Sequence, residues 1–94
     1  MATLTPKQIK AALPTARDWR KRGASIARTF QFKDFLAAMS FVNKVARAAE
    51  KAQHHPDIDI RWNKVTLVLS THSEGGLTPK DFELAKKINA LAAD

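Results

Sequence analysis

Three histidines, His54, His55 and His72, are the residues whose type and spacing point most directly to chemistry in this 94-residue chain. Two stand together in the run Glu50-Lys51-Ala52-Gln53-His54-His55-Pro56, and the third closes Ser70-Thr71-His72. Between them lie two segments of alternating apolar and polar residues, 57–62 and 65–69, joined by Asn63-Lys64. A hairpin over that stretch returns the chain to its start and brings the histidine-bearing ends together. Imidazole changes protonation near neutral pH, so such a cluster can give a proton and take one. The pattern is a candidate proton-transfer site.

Other chemistries fit less well. The chain has no cysteine, which removes disulfides, thiolate metal ligands and a thiol nucleophile, and suits a reducing compartment. Zinc needs several ligands converging on one point, whereas adjacent residues such as His54 and His55 face opposite sides of an extended chain. No metal site is expected. Ser70 and Ser73 flank His72, but no Gly-x-Ser-x-Gly elbow presents either as a nucleophile.

The elements that must position these residues can be read from period and caps. Thr5-Pro6-Lys7-Gln8 predicts a helix start, with Thr5 as N-cap and Pro6 in the first turn, and Pro14 keeps that helix short. Residues 20–22, a turn at Gly23 and residues 24–32 read as a hairpin with Ile26, Phe30 and Phe32 on one face. From Lys33 the period changes: Phe35, Met39, Val42, Val45 or Ala46, Ala49 and Ala52 form the stripe of a helix about five turns long. That stripe is long enough to pack on its own sheet and on a neighbouring subunit. Glu50 lies near the helix C-terminus, where a carboxylate opposes the dipole, so a site role and an ordinary surface role both stay open.

Pro56 drives His55 out of helical dihedrals, so the helix should end before the histidine pair. In the following hairpin, a turn at Asn63-Lys64 sets Trp62 opposite Val65. Paired residue numbers then sum to 127: Ile60 meets Leu67, Ile58 meets Leu69, His55 meets His72, and His54 falls opposite Ser73. Ile58, Ile60, Trp62, Val65, Leu67 and Leu69 share one face. After a turn at Ser73-Glu74-Gly75-Gly76, Thr78-Pro79-Lys80-Asp81 repeats the helix-start signal. The last helix has an apolar stripe of Phe82, Leu84 or Ala85, Ile88 and Leu91 or Ala92, and Asp81 is well placed in its first turn. The order α-β-β-α-β-β-α predicts an α+β fold, one four-stranded antiparallel sheet with helices packed on one face, and one domain over residues 1–94.

The formal charge is +7, from 16 Lys and Arg against 9 Asp and Glu. These cations are dispersed, and no RNA-binding aromatic motif or zinc-finger spacing accompanies them, so no specific nucleic-acid site is expected. No apolar run reaches the roughly 20 residues that span a bilayer, and residues 1–10 lack a signal-peptide core. A cytoplasmic protein without membrane contact is expected.

The combined motif resembles the pterin-4a-carbinolamine dehydratases. It consists of Glu50-Lys51-x-x-His54-His55-Pro56, Asn63-Lys64-Val65 and Leu69-Ser70-Thr71-His72, and extends through Trp19, Phe30-x-Phe32-Lys33-Asp34-Phe35 and Gly76-Leu77-Thr78 to Asp81. The resemblance implies the same α+β fold, dimers or tetramers, and neither metal nor cofactor. It implies dehydration of a 4a-hydroxytetrahydropterin to quinonoid dihydropterin and water, which recycles the tetrahydrobiopterin-type cofactor of an aromatic amino acid hydroxylase. By the same resemblance His54, His55 and His72 are the active-site histidines, with His54 and His72 as proton donors. Gln53, Pro56, Ser70, Thr71 and Ser73 fall in ligand-contacting stretches, and Glu50 and Asp81 are supporting acids. Two departures from the pattern are Ser73 with its loop 74–76, where a family member carries Glu, and Trp62, which replaces a tyrosine. Two alternatives accompany the resemblance: a non-enzymatic role as a dimerisation or regulatory partner, and action on another pterin, as in molybdopterin metabolism.

Overall fold

The two Thr-Pro-Lys segments start helices by different means. The computed structural model describes residues 3–93. Helix α1 (Pro6–Ala12) opens with a complete capping box: Gln8 N–H donates to Thr5 Oγ1 at 3.2 Å, and Thr5 N–H donates to Gln8 Oε1 at 2.8 Å. Pro14 falls in a 3-10 turn, Leu13–Thr15, directly after it. At the start of α3 (Pro79–Ala93), Thr78 N–H donates to Asp81 Oδ2 at 3.0 Å. The Thr78 hydroxyl is diverted to Thr71 Oγ1, 2.9 Å away. The second helix start is thereby tied to the end of a strand.

Strands β1 (Arg20–Arg22), β2 (Ser25–Gln31), β3 (Asp57–Arg61) and β4 (Lys64–Leu69) form one antiparallel sheet in the order β1-β2-β4-β3. Helix α2 (Phe35–Ala52) and α3 pack with the sheet around a core that includes Ile26, Phe30, Val65, Leu67 and Leu69 from the strands and Val45, Phe82 and Ile88 from the helices. Asp34 caps α2 by accepting from Ala37 N–H at 2.8 Å. The expected α+β fold and element order are the ones observed. Among the described residues no helix is long and apolar enough to cross a membrane.

Two expectations are corrected. The stripe of α2 is rotated: Phe35 and Ala46 are exposed, while Ala38, Phe41, Val42, Val45, Ala48 and Ala49 are buried. Phe41 decides this face, because its ring lies 4.8 Å from that of Phe30 and 4.9 Å from that of Phe32.

The second correction concerns the β3–β4 register. Arg61 pairs with Lys64, Ile60 with Val65 and Ile58 with Leu67, so paired numbers sum to 125 and the loop is Trp62-Asn63. Trp62 takes a left-handed φ of 51°. The buried Asn63 amide donates to Phe32 O at 2.7 Å, and Phe32 N–H donates to Asn63 O at 2.9 Å. Those bonds to the end of β2 hold Asn63 at the second position of the turn, where propensity had assigned the first. Both sums are odd, so the faces stand as expected while every β3 residue meets a different partner. Asn63→Ala is expected to cost about 1–3 kcal/mol, since it leaves the Phe32 carbonyl without its donor. A urea-denaturation midpoint checks this.

Candidate active site

The corrected register breaks the expected pairing of His55 with His72. Continued past Asp57 and Val68, it sets His55 opposite Ser70, with His72 beyond the end of β4. Two local devices bring the histidines together instead. The first is a bend one residue before the histidine pair. Gln53 adopts a left-handed conformation (φ 51°, ψ 43°), its N–H donates to Glu50 O at 3.2 Å, and His54 N–H donates to Ala49 O at 3.1 Å. These bonds form a Schellman-type helix end, in which the chain reverses direction. Gln53 Nε2 also donates to Glu50 O at 2.7 Å, which helps hold a side chain larger than glycine in this conformation.

The second device is the turn after β4. Thr71 and Gly76 form an isolated bridge, and the 3-10 turn His72–Glu74 between them closes on Gly75, whose φ of 76° suits glycine. His72 and Ser73 therefore stand out from a loop closed at its base. The bend and the loop face each other across a pocket of about 260 Å³, lined by Gln53, His54, His55, Ser70, Thr71, His72, Ser73 and Lys80. Grooves of about 570 to 630 Å³ elsewhere contain no histidine.

Each histidine of the pair has a carboxylate partner. His54 Nε2 lies 2.5 Å from Asp81 Oδ1, with 10% of the histidine side chain and none of the aspartate exposed. Asp81 Oδ2 also accepts from Thr71 Oγ1 at 2.8 Å and from Thr78 N–H at 3.0 Å. A buried carboxylate with three donors is held in one orientation, and it holds His54 in turn. His55 Nε2 lies 2.5 Å from Glu50 Oε2, but both side chains are mainly exposed, so this pair adds little stability. A carboxylate only accepts, so in each pair Nε2 is the ring nitrogen that donates, and in the neutral ring Nδ1 is the one that can accept. His72 differs: Ser70 Oγ is 3.5 Å from its Nε2, and no carboxylate partners it among the described residues.

Most of the residues expected at the site line this pocket. Asp81 stands behind His54, Glu50 flanks His55, and the half-buried Pro56 follows the pair into β3. Lys80 was not anticipated. The signal available for it was a cation in the first turn of a helix, where the dipole disfavours positive charge.

The family model described as pterin 4 alpha carbinolamine dehydratase matches residues 2–91. A protein of Acidobacterium capsulatum, provisionally named a pterin-4-alpha-carbinolamine dehydratase, is 56% identical over 91 residues, covering 97% of this chain and 99% of that one. A Nocardia farcinica protein with the same provisional name is 54% identical over 89 residues, covering 95% and 94%. Among solved structures, a transcriptional coactivator/pterin dehydratase from Brucella melitensis superposes with a TM-score of 0.92 at 40% identity, over 96% of this chain and 98% of the other. A pterin dehydratase-like RuBisCO assembly factor of the alpha-carboxysome shares the fold, with a TM-score of 0.71 at 22% identity over 85% and 95%. By family match and by full-length similarity, the chain belongs to the pterin-4a-carbinolamine dehydratase family.

Proposed function

We propose that this protein dehydrates 4a-hydroxytetrahydropterins to quinonoid dihydropterin and water, recycling the tetrahydrobiopterin-type cofactor of an aromatic amino acid hydroxylase. The observation that carries this reading is the meeting of three histidines at one pocket, two of them oriented by carboxylates. In the reaction the proton on N5 is removed, the N5 lone pair forms the new double bond to C4a, and the C4a–O bond breaks. The leaving oxygen takes up a proton and departs as water.

In this reading His54 is the base, in place of the donor role that the resemblance gives it. Asp81 stabilises the imidazolium that forms when His54 Nδ1 accepts the N5 proton, as a buried aspartate does for a catalytic histidine in general. His72, which has no carboxylate partner among the described residues, is the acid at the leaving oxygen. His55, Gln53, Ser70 and Ser73 hold the bicycle between them. General acid–base transfer of this kind contributes roughly 10²–10⁴-fold. The test is to mix the purified chain with freshly generated 4a-hydroxytetrahydropterin and follow quinonoid dihydropterin by ultraviolet absorbance. A rate no faster than the uncatalysed one would end the proposal and leave binding or another pterin as the role to examine.

Self-association belongs to the same reading, as a homodimer or homotetramer. Ile58, Ile60 and Trp62 of the β3 edge hairpin are exposed, Trp62 to 67%, and so are Phe35 and Leu36 at the start of α2. The Asn63–Phe32 hydrogen bonds bring the hairpin turn close to that helix start. An edge strand with apolar side chains is a ready surface for a second copy. Light scattering is expected to give a multiple of the monomer mass, reduced by the double change Ile60→Glu, Trp62→Glu. A monomeric mass for the native chain would contradict this.

A further inference from the structure

Lys80 is the one lining residue of the histidine pocket that neither the proton transfers nor the packing of the fold employs. Its side chain is exposed and has no ion-pair or hydrogen-bond partner among the described residues. Asp81 and Glu50 are engaged by the pocket's own histidines, His54 and His55. Gln53, Ser70, Thr71 and Ser73 carry no charge, so among the described residues the ammonium is the only permanent charge on the pocket wall. Its place in the first turn of α3 opposes the helix dipole. A neutral bicycle handled by imidazoles leaves that charge uncompensated, and the chain's net charge of +7 adds a field of the same sign.

We propose that Lys80 determines specificity, making the pocket select pterins that carry an anionic substituent, a carboxylate or a phosphate, over neutral ones. This rests on the reading of the pocket as a pterin site and narrows the class of pterin. The charge acts on binding, so preference appears in affinity and KM rather than in the chemical step. Replacement by arginine preserves it, because guanidinium pairs with carboxylate and phosphate as well as ammonium does.

The test is equilibrium binding, by calorimetry, of three dihydropterins that differ at C6: a neutral hydroxymethyl compound, its phosphate ester and the carboxylate. The native chain is expected to bind both anions about fivefold more tightly than the neutral compound, the size of a charge pair at a solvent-facing wall. Added salt should shrink the preference. Lys80→Gln should bring the ratio close to one, and Lys80→Arg should keep it. A preference for the phosphate alone supports the proposal and identifies a dianion as the group selected. Equal weakening of all three ligands in Lys80→Gln, or no charge preference in the native chain, overturns the proposal while leaving the pterin site intact. Failure of every dihydropterin to bind overturns the pterin reading and this proposal with it.

Discussion

Asp81→Ala is expected to lower stability by about 3 kcal/mol and the dehydration rate by about two orders of magnitude. The stability loss follows from burial: the carboxylate is fully enclosed and accepts from His54, Thr71 and Thr78 together. Truncation leaves those donors unsatisfied beside a cavity. The rate loss follows from the His54 ring, which loses the partner that fixes its tautomer and stabilises its charged form. Asp81→Asn separates the two effects. An amide fills the same space, so about 1 kcal/mol of stability should be lost, yet it cannot present two accepting oxygens and should lower the rate about as far as alanine does. Urea denaturation beside initial rates measures both. Full activity in Asp81→Asn would refute the tautomer-fixing role.

His72→Ala should give the opposite balance. The side chain is exposed, and its contact with Ser70 at 3.5 Å is too long to contribute much, so stability should move by no more than about 0.5 kcal/mol. The rate should fall by roughly 10²–10⁴-fold, the typical yield of a positioned general acid. The loose tether is consistent with that role, since a donor that must follow a leaving oxygen needs freedom to reorient. A rate unchanged by this substitution would remove His72 from the chemistry.

Features governed by neighbouring residues were legible in the sequence. Thr5-Pro6 announced α1, the alternation in 57–69 sorted the faces of the hairpin, and the histidine-bearing segments are the ones that meet at one pocket. What was hidden depended on contacts between distant residues. Turn propensity favours Asn63-Lys64, but a buried hydrogen bond from Asn63 to Phe32 outweighs it and shifts the register. The stripe of α2 is ambiguous because alanine suits either face, and only the rings of Phe30 and Phe32 draw Phe41 inward. Gln53 gave no sign of a left-handed conformation, for which Gly or Asn is the usual signal. That bend matters most, because it precedes the two histidines that share the pocket with His72. Asp81 was legible as a helix-start residue and, through the family resemblance, as a nearby acid. Its bond to a histidine 27 residues away is a product of the folded chain.

In the proposed reaction these imidazoles carry the protons of a dehydration. The most direct measurement is the rate of quinonoid dihydropterin formation from 4a-hydroxytetrahydropterin, for the native chain beside the double variant His54→Ala, His72→Ala. The native rate is expected to lie far above the uncatalysed one and that of the double variant close to it. Acceleration that survives loss of both histidines would contradict this.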